Sequence, residues 1–143
     1  MKNIRAHHFG REEDPLPHEL EEVLEAAWVA EETGDEAAAL RAEHFQSAVS
    51  AESLTELRAR GLLGSGAGQR WALTELGRRK AEPIIRRHRL AERLVCDVLH
   101  SELAVAEHSA CVFEHLVAPD IADAICTLLG HPRLCPHGRA IPQ

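Results

Sequence analysis

His88 and Glu92 stand four residues apart, and Cys111, Glu114 and His115 stand at spacings of three and four. Side chains three or four apart on a helix project from one face. If both segments are helical and face each other, they offer five nitrogen, oxygen and sulfur donors. That set is enough for one site of intermediate softness, or for two if a further helix contributes. His, carboxylate and thiolate ligands together suit Fe(II), Mn(II), Co(II) or Zn(II) and not the hard ions Mg and Ca. A His–Glu pair by itself is usually an ordinary hydrogen-bonded pair, and a Cys by itself an inert buried thiol. Two such sets on adjacent helices make the metal reading the stronger one. The tail HPRLCPH adds His131, Cys135 and His137. A Pro-rich tail of this kind more often folds back as packing than binds metal. No HExxH, GxSxG or Gly-rich phosphate loop is present, so no catalytic arrangement stands out and the chain is not expected to be an enzyme.

The elements that must position these residues follow from periodicity and capping signals. Residues 1–17 have no apolar period and contain Gly10, Pro15 and Pro17, which predicts a loose arm. Leu20, Val23, Leu24, Ala27 and Trp28 predict a helix over 18–33 that ends at Gly34. Ala37 to Phe45 reads as a second helix. A third is capped by Ser50, uses Leu54 and Leu57 and ends at Gly61. Two short apolar stretches, Leu62-Leu63 and Trp71-Ala72-Leu73, flank a tip holding Gly64, Gly66 and Gly68, which predicts a β-hairpin. Thr74 caps the helix that starts at 75, in which Pro83 should mark a break or kink. Two further helices are expected at about 102–117 and 119–129. Pro119 starts the last one, and Gly130 ends it. Three helices, a hairpin and another helix follow the order of a winged helix-turn-helix. The wide apolar stripe of Ile121, Ala124, Ile125, Leu128 and Leu129 exceeds what three short helices can bury, so part of it is expected to form a dimer interface.

Charge is distributed unevenly. Residues 1–57 carry 4 basic and 14 acidic side chains, residues 58–93 carry 10 and 3, and residues 94–143 carry 2 and 6. The basic block between acidic ones is what a phosphate-contacting segment would look like, despite a net charge of −7. An aromatic content of 3% with no Tyr argues against base-stacking recognition of single strands. No apolar run is long enough to span a bilayer, and the N-terminus lacks the apolar core of a signal peptide. A cytoplasmic location is therefore expected, with the four cysteines as thiols or metal ligands.

The stretches RRHRLAERLV (86–95), ACVFEHLV (110–117) and LGHPRLCPHGRAIP (129–142), with LTELGRRKA (73–81), closely resemble the iron- and manganese-dependent repressors of the diphtheria-toxin-repressor family. The resemblance covers about residues 18–143 and looks like the two-domain form, which lacks an SH3-like domain. It implies a mostly α fold: a winged-helix DNA-binding domain with a small hairpin wing over 18–80, then a helical metal-binding and dimerisation domain over 81–143. It also implies a homodimer that binds a double-stranded operator when metal is bound, controlling iron or manganese homeostasis genes. No membrane partner or small-molecule substrate is implied.

By the same resemblance, His88, Glu92, Cys111, Glu114 and His115 match family ligands. Glu22 lies where iron members place Met and manganese members Asp, and Glu25 where manganese members place Glu. Glu107, with His108 beside it, stands where iron members have a His. Cys111 leans towards Fe(II), the first expectation, and the Glu22–Glu25 pair towards Mn(II), the second; Zn(II), Co(II) or Ni(II) would bind in vitro. The DNA contacts implied are Ser50, Ser53, Thr55, Arg58, Arg60 and Arg70, with Arg78 and Arg79 near the backbone. The short, acidic segment SAESLTELRAR places Glu52 and Glu56 where a groove-reading helix prefers neutral or basic residues. This leaves two other readings: a metal-binding dimer that has lost operator binding, and a small metal-dependent hydrolase.

Overall fold

The computed structural model describes residues 15–35, 49–66 and 69–143, with side chains 65–71 left aside. The helix read at 37–45, nearly all of the arm at 1–17 and the Arg70 side chain lie outside the described residues. Helix α1 (His18–Thr33) begins after Pro17, and Gly34 closes it in the left-handed region at φ +68°, where a side chain would be strained. Helix α2 (Ala51–Ala59) is capped by Ser50, whose hydroxyl accepts from the Ser53 amide at 3.0 Å. Strands β1 (Leu63–Gly66) and β2 (Gln69–Leu73) pair antiparallel, with Leu63 opposite Leu73. Helix α3 (Glu75–Asp97) follows, then α4 (Leu103–Phe113), a 3₁₀ turn (Glu114–Leu116) and α5 (Pro119–Leu128). The fold is mostly α with a small hairpin, as expected.

Two expectations are corrected. Helix α3 runs unbroken through Pro83. Proline removes one backbone donor, but Pro83 is exposed, and the neighbouring Ala81, Ile84 and Ile85 are buried, so packing holds the helix across it. The helix expected to run to 117 ends instead at Phe113 and tightens into the 3₁₀ turn. In an α-helix Glu114 and His115 would flank the line through Cys111, and the tighter winding carries His115 away from that line.

The described apolar residues form two cores. Leu20, Val23, Leu24 and Ala27 of α1 pack with Leu57 of α2, Leu62 and Leu63, and Ala81 and Ile84 of α3. Leu90 of α3 packs with Ala122, Ile125 and Cys126 of α5 and with Cys135 and Ile141 of the tail. Helix α3 belongs to both, so it fixes how α1 meets the C-terminal helices. Arg89 reinforces this seam, donating to Glu32 of α1 at 2.9 Å and also to the Ala140 carbonyl.

The hairpin is joined to α3 at close range. The Thr74 hydroxyl accepts from the Gly77 amide at 2.9 Å and donates to the Gly61 carbonyl at 2.6 Å. A Cβ at Gly77 would lie 1.9 Å from the Leu62 carbonyl oxygen, which is backbone and cannot swing aside. Gly77→Ala is therefore expected to destabilise the protein by about 3 kcal/mol, the upper range for overpacking. A thermal melt unchanged by the substitution would show that hairpin and helix are not held this tightly.

Candidate metal centre

Helix α1 contributes Glu21, Glu22 and Glu25, brought against α3 by the apolar face of Leu20, Val23 and Leu24. Glu22 and Glu25 are buried. Helix α3 contributes His88 and Glu92, also buried, one turn apart. The His88 imidazole is surrounded by carboxylates: Nδ1 lies 2.6 Å from Glu114 Oε2 and 3.1 Å from Glu25 Oε1, and Nε2 lies 3.2 Å from Glu92 Oε1. Three carboxylates around one buried imidazole would repel one another without a shared cation.

Among the described residues, the donor atoms fall into three groups, each within 4.8 Å: His88, Cys111 and Glu114; His18, Glu22 and His115; and Glu92, Cys135 and His137. The break at Phe113 explains the division. Glu114, fully buried, turns towards His88, while His115 turns to α1. There His115 Nδ1 lies 2.7 Å from Glu21 Oε2. A proton on Nδ1 donated to Glu21 leaves the Nε2 lone pair free, the arrangement that orients metal-ligating histidines. Arg87 steadies the pair from α3, 3.5 Å from Glu21 and donating to the Glu114 carbonyl at 3.0 Å.

The residues fit a divalent transition ion. Among the described residues, His115 Nε2, Glu114 Oε1 and Glu25 Oε2 are buried without a well-aligned hydrogen bond, although the first two lie 3.0 Å apart. Two acceptors aimed at each other are repulsive unless a proton or a metal sits between them. Electrostatics agrees. Burial lowers the His115 pKa, but Glu114, Glu21 and Glu22 outweigh it and raise it to about 11. Burial likewise opposes the charge on His88, and Glu25, Cys111, Glu114 and Glu92 raise its pKa well above the usual value. Burial would raise Glu114, but its contacts with His115 and His88 hold it at about 2. Glu25 goes the other way: burial, reinforced by Glu114 and Glu22 against the pull of His88, raises its pKa. Burial also raises the Cys111 thiol, His88 opposing it.

The third group comes from a tight loop in the tail. The Cys135 amide donates to the Arg139 carbonyl at 2.8 Å, and the Ile141 amide to the Arg133 carbonyl at 2.8 Å. Gly138 supplies the left-handed residue at φ +78°. The loop buries Cys135 in the second core and brings His137 Nδ1 to 3.4 Å from Glu92.

Of the sequence-derived candidates, His88, Cys111 and Glu114 come together, Glu25 adjoins them, and Glu22 pairs with His115. Glu107 is exposed and reaches the third group through His137, at 2.7 Å. His108 is exposed and joins none of the three groups. The tail packs, as its composition suggested, yet two of its three candidates also stand among donors. His131 instead lies 3.5 Å from Cys126. His18 and Glu21 were not singled out in the sequence. Their signal was the run HELEE, with His and Glu four apart ahead of a buried helix.

The profile described as "Iron dependent repressor, metal binding and dimerisation domain" matches residues 74–143, the stretch that carries most of these donors. Over these residues the chain is similar to the iron-dependent repressor family. The iron-dependent repressor IdeR of Mycobacterium tuberculosis is 33% identical over 91 residues, covering 64% of this chain and 40% of that protein. The diphtheria toxin repressor of Corynebacterium diphtheriae is 28% identical over 91 residues with the same coverage. The chain thus spans 40% of the length of these curated relatives. A solved structure entitled "Manganese-dependent transcriptional repressor complex with manganese" superposes with a TM-score of 0.71 at 31% identity, covering 87% of this chain and 58% of that one. The manganese regulator SloR shares the fold, with a TM-score of 0.62 at 24% identity, covering 92% of this chain and 61% of that one. No helix among the described residues is long and apolar enough to cross a membrane.

Proposed function

We propose that the chain is a metal-dependent DNA-binding transcriptional regulator, a repressor of iron or manganese homeostasis genes, with Fe(II) as first candidate and Mn(II) as second. The observation that carries this reading is the buried cluster of carboxylates and imidazoles at the junction of α1 and the C-terminal helices, in which Glu114 Oε1 and His115 Nε2 stand 3.0 Å apart and His88 is ringed by Glu25, Glu92 and Glu114. Glu22, Glu25, His88, Cys111, Glu114 and His115 would hold metal there, with Glu92 and Glu107 in the group that reaches the tail. A bound divalent ion would supply the positive charge that these carboxylates lack. Glu22 and Glu25 then hold α1 against α3 and α4. This fixes the 18–80 half, with α2 as the recognition helix, relative to the 81–143 half.

A homodimer makes this useful, because two recognition helices must match half-sites one DNA turn apart. The exposed apolar side chains Leu99, Leu116, Ile121 and Leu128 are the surface proposed to pair. On α2, Ser53, Thr55, Arg58 and Arg60 would face DNA, with Ser50 at its cap and Arg70 on the wing. A specific observation keeps a second reading: Glu52 and Glu56 are exposed on α2, and Arg60 is paired with Glu56 at 2.7 Å. That pattern fits a metal-binding dimer that has lost operator binding. Mobility shift of DNA from upstream of the protein's own gene separates the two. Mn(II) or Fe(II) is expected to tighten binding by roughly 5–150-fold over protein treated with chelator. Binding that ignores metal would sink the regulator reading, and no binding under either condition would favour the second.

A further inference from the structure

We propose that Glu31 and Arg78 are positioning residues: they latch the base of the hairpin to the end of α1 and so set where the wing meets DNA. The proposal rests on the regulator reading above. It gives Arg78, for which the family resemblance implied a place near the DNA backbone, a different part. The Leu73 amide of β2 donates to Glu31 Oε1 at 2.8 Å, across 42 residues of sequence. The other oxygen, Glu31 Oε2, pairs with the Arg78 guanidinium. Arg78 also lies over Trp28 of α1, its guanidinium carbon 5.4 Å from the ring centroid and so within cation–π range. One carboxylate of α1 thus ties together β2 and the first turn of α3.

The position of Glu31 is unfavourable without such partners. It stands in the last turn of α1, where the helix dipole disfavours negative charge. Glu32 stands there too, and no basic residue does. Both carboxylates find their cations on α3: Glu31 pairs with Arg78, and Glu32 with Arg89. The Leu73 amide gains as well. Alternate amides of β2 face away from β1 in a two-stranded hairpin, and the next amide, Thr74, bonds the Leu62 carbonyl.

The latch joins the wing to the helix that carries metal donors. Glu22 and Glu25 precede Glu31 by nine and six residues on α1, about 9–14 Å along the axis at a rise of about 1.5 Å per residue. A helix held at its donors carries Glu31 with it, and β2, which includes Arg70, follows. The donors and the wing thereby share one rigid element, whose position both can bias.

Glu31→Ala and Arg78→Gln in the full chain with excess Mn(II) test this, by fluorescence anisotropy over a range of salt on DNA from upstream of the protein's own gene. Removing a carboxylate near DNA ordinarily tightens binding, because a repulsion from phosphate is lost. The latch predicts the reverse. Both variants should bind DNA about tenfold more weakly, the size of one charge-assisted hydrogen bond, with the salt slope and Mn(II) isotherm of wild type. Unchanged or tighter DNA binding by Glu31→Ala would overturn the proposal. So would a salt slope reduced by about one in Arg78→Gln, which would make Arg78 a phosphate contact. A weakened Mn(II) isotherm would show a damaged α1 and overturn it too. Hydrogen exchange followed by NMR in chelator is a second readout that needs no DNA: the Leu73 amide should exchange faster in Glu31→Ala, and a rate equal to wild type would overturn the latch. Wild type that binds no DNA would sink the regulator reading, and the exchange rate would then decide the latch by itself.

Discussion

Glu114→Gln is expected to abolish tight binding of Mn(II) and Co(II), with affinity reduced by about 100-fold or more, while the helical content is kept. Glu114 is fully buried at the point where α4 tightens into its 3₁₀ turn. One oxygen meets His88 Nδ1 at 2.6 Å and the other faces His115 Nε2 at 3.0 Å. The carboxylate therefore links the α3 donors to the His115 group. Glutamine matches it in volume but replaces the charge with a dipole and puts a donor NH₂ where a second acceptor stood. Loss even of an outer-shell partner costs about 10–100-fold in metal affinity, and a central ligand should cost more.

The same substitution acts on the metal-free protein. The Glu114 carboxylate helps hold protons on His88 and His115. Breaking a buried pair by removing one charge costs about 3–5 kcal/mol, less here because Glu25 still faces His88. Calorimetry and thermal melts of wild type and variant in chelator measure both effects. An unchanged isotherm would mean that the ions bind elsewhere, and the Glu92, Cys135 and His137 group would be the next to test.

How far the sequence reached follows the range of the interactions involved. Ser50 and Thr74 cap their helices and Gly34 terminates α1 as read, because each signal acts within a few residues. The hairpin came from apolar stretches around a glycine-rich tip, again a local pattern. Pro83 misled because burial of its neighbours is a tertiary effect. The turning of His115 away from Cys111 was hidden for a related reason: spacings of three and four imply one face only while the helix remains α, and it stops at Phe113. Glu21 could not be found by spacing, since its partner His115 is 94 residues away. His137 needed the loop closed by the Cys135 and Ile141 amides before it could approach Glu92. Glu22 and Glu25 came from resemblance alone, and the structure places both beside donors of the C-terminal half.

The stability of the protein is expected to fall in chelator and to hold nearly level in Mn(II) as pH rises from about 6.5 to 8.5. His115 is faced by Glu21 and Glu22 of α1, by Glu114 beside it and by His18, with Arg87 of α3 paired to Glu21. Burial lowers its pKa, but the carboxylates prevail and raise it to about 11 from an ordinary 6.5. Above pH 6.5 the unfolded chain therefore loses a proton that the folded chain keeps. Stability present below 6.5 is lost progressively as pH climbs towards 11. His88 is shifted in the same direction and adds to the slope. Glu114, held at about 2 against an ordinary 4.5, sets the acid side: its contribution is present above 4.5 and is lost as pH falls towards 2.

Metal cancels the alkaline slope. Ligation requires the imidazole nitrogens without their protons, so binding releases protons and strengthens as pH rises. The stabilisation conferred by a ligand that binds only the folded state grows with its affinity, so in the loaded protein this growth offsets the loss that the metal-free protein suffers over the same window. Melting temperatures taken across pH 6.5–8.5 in chelator and in excess Mn(II) should diverge steadily. Parallel curves would mean that the histidines whose protons the carboxylates hold are not the ones that bind metal.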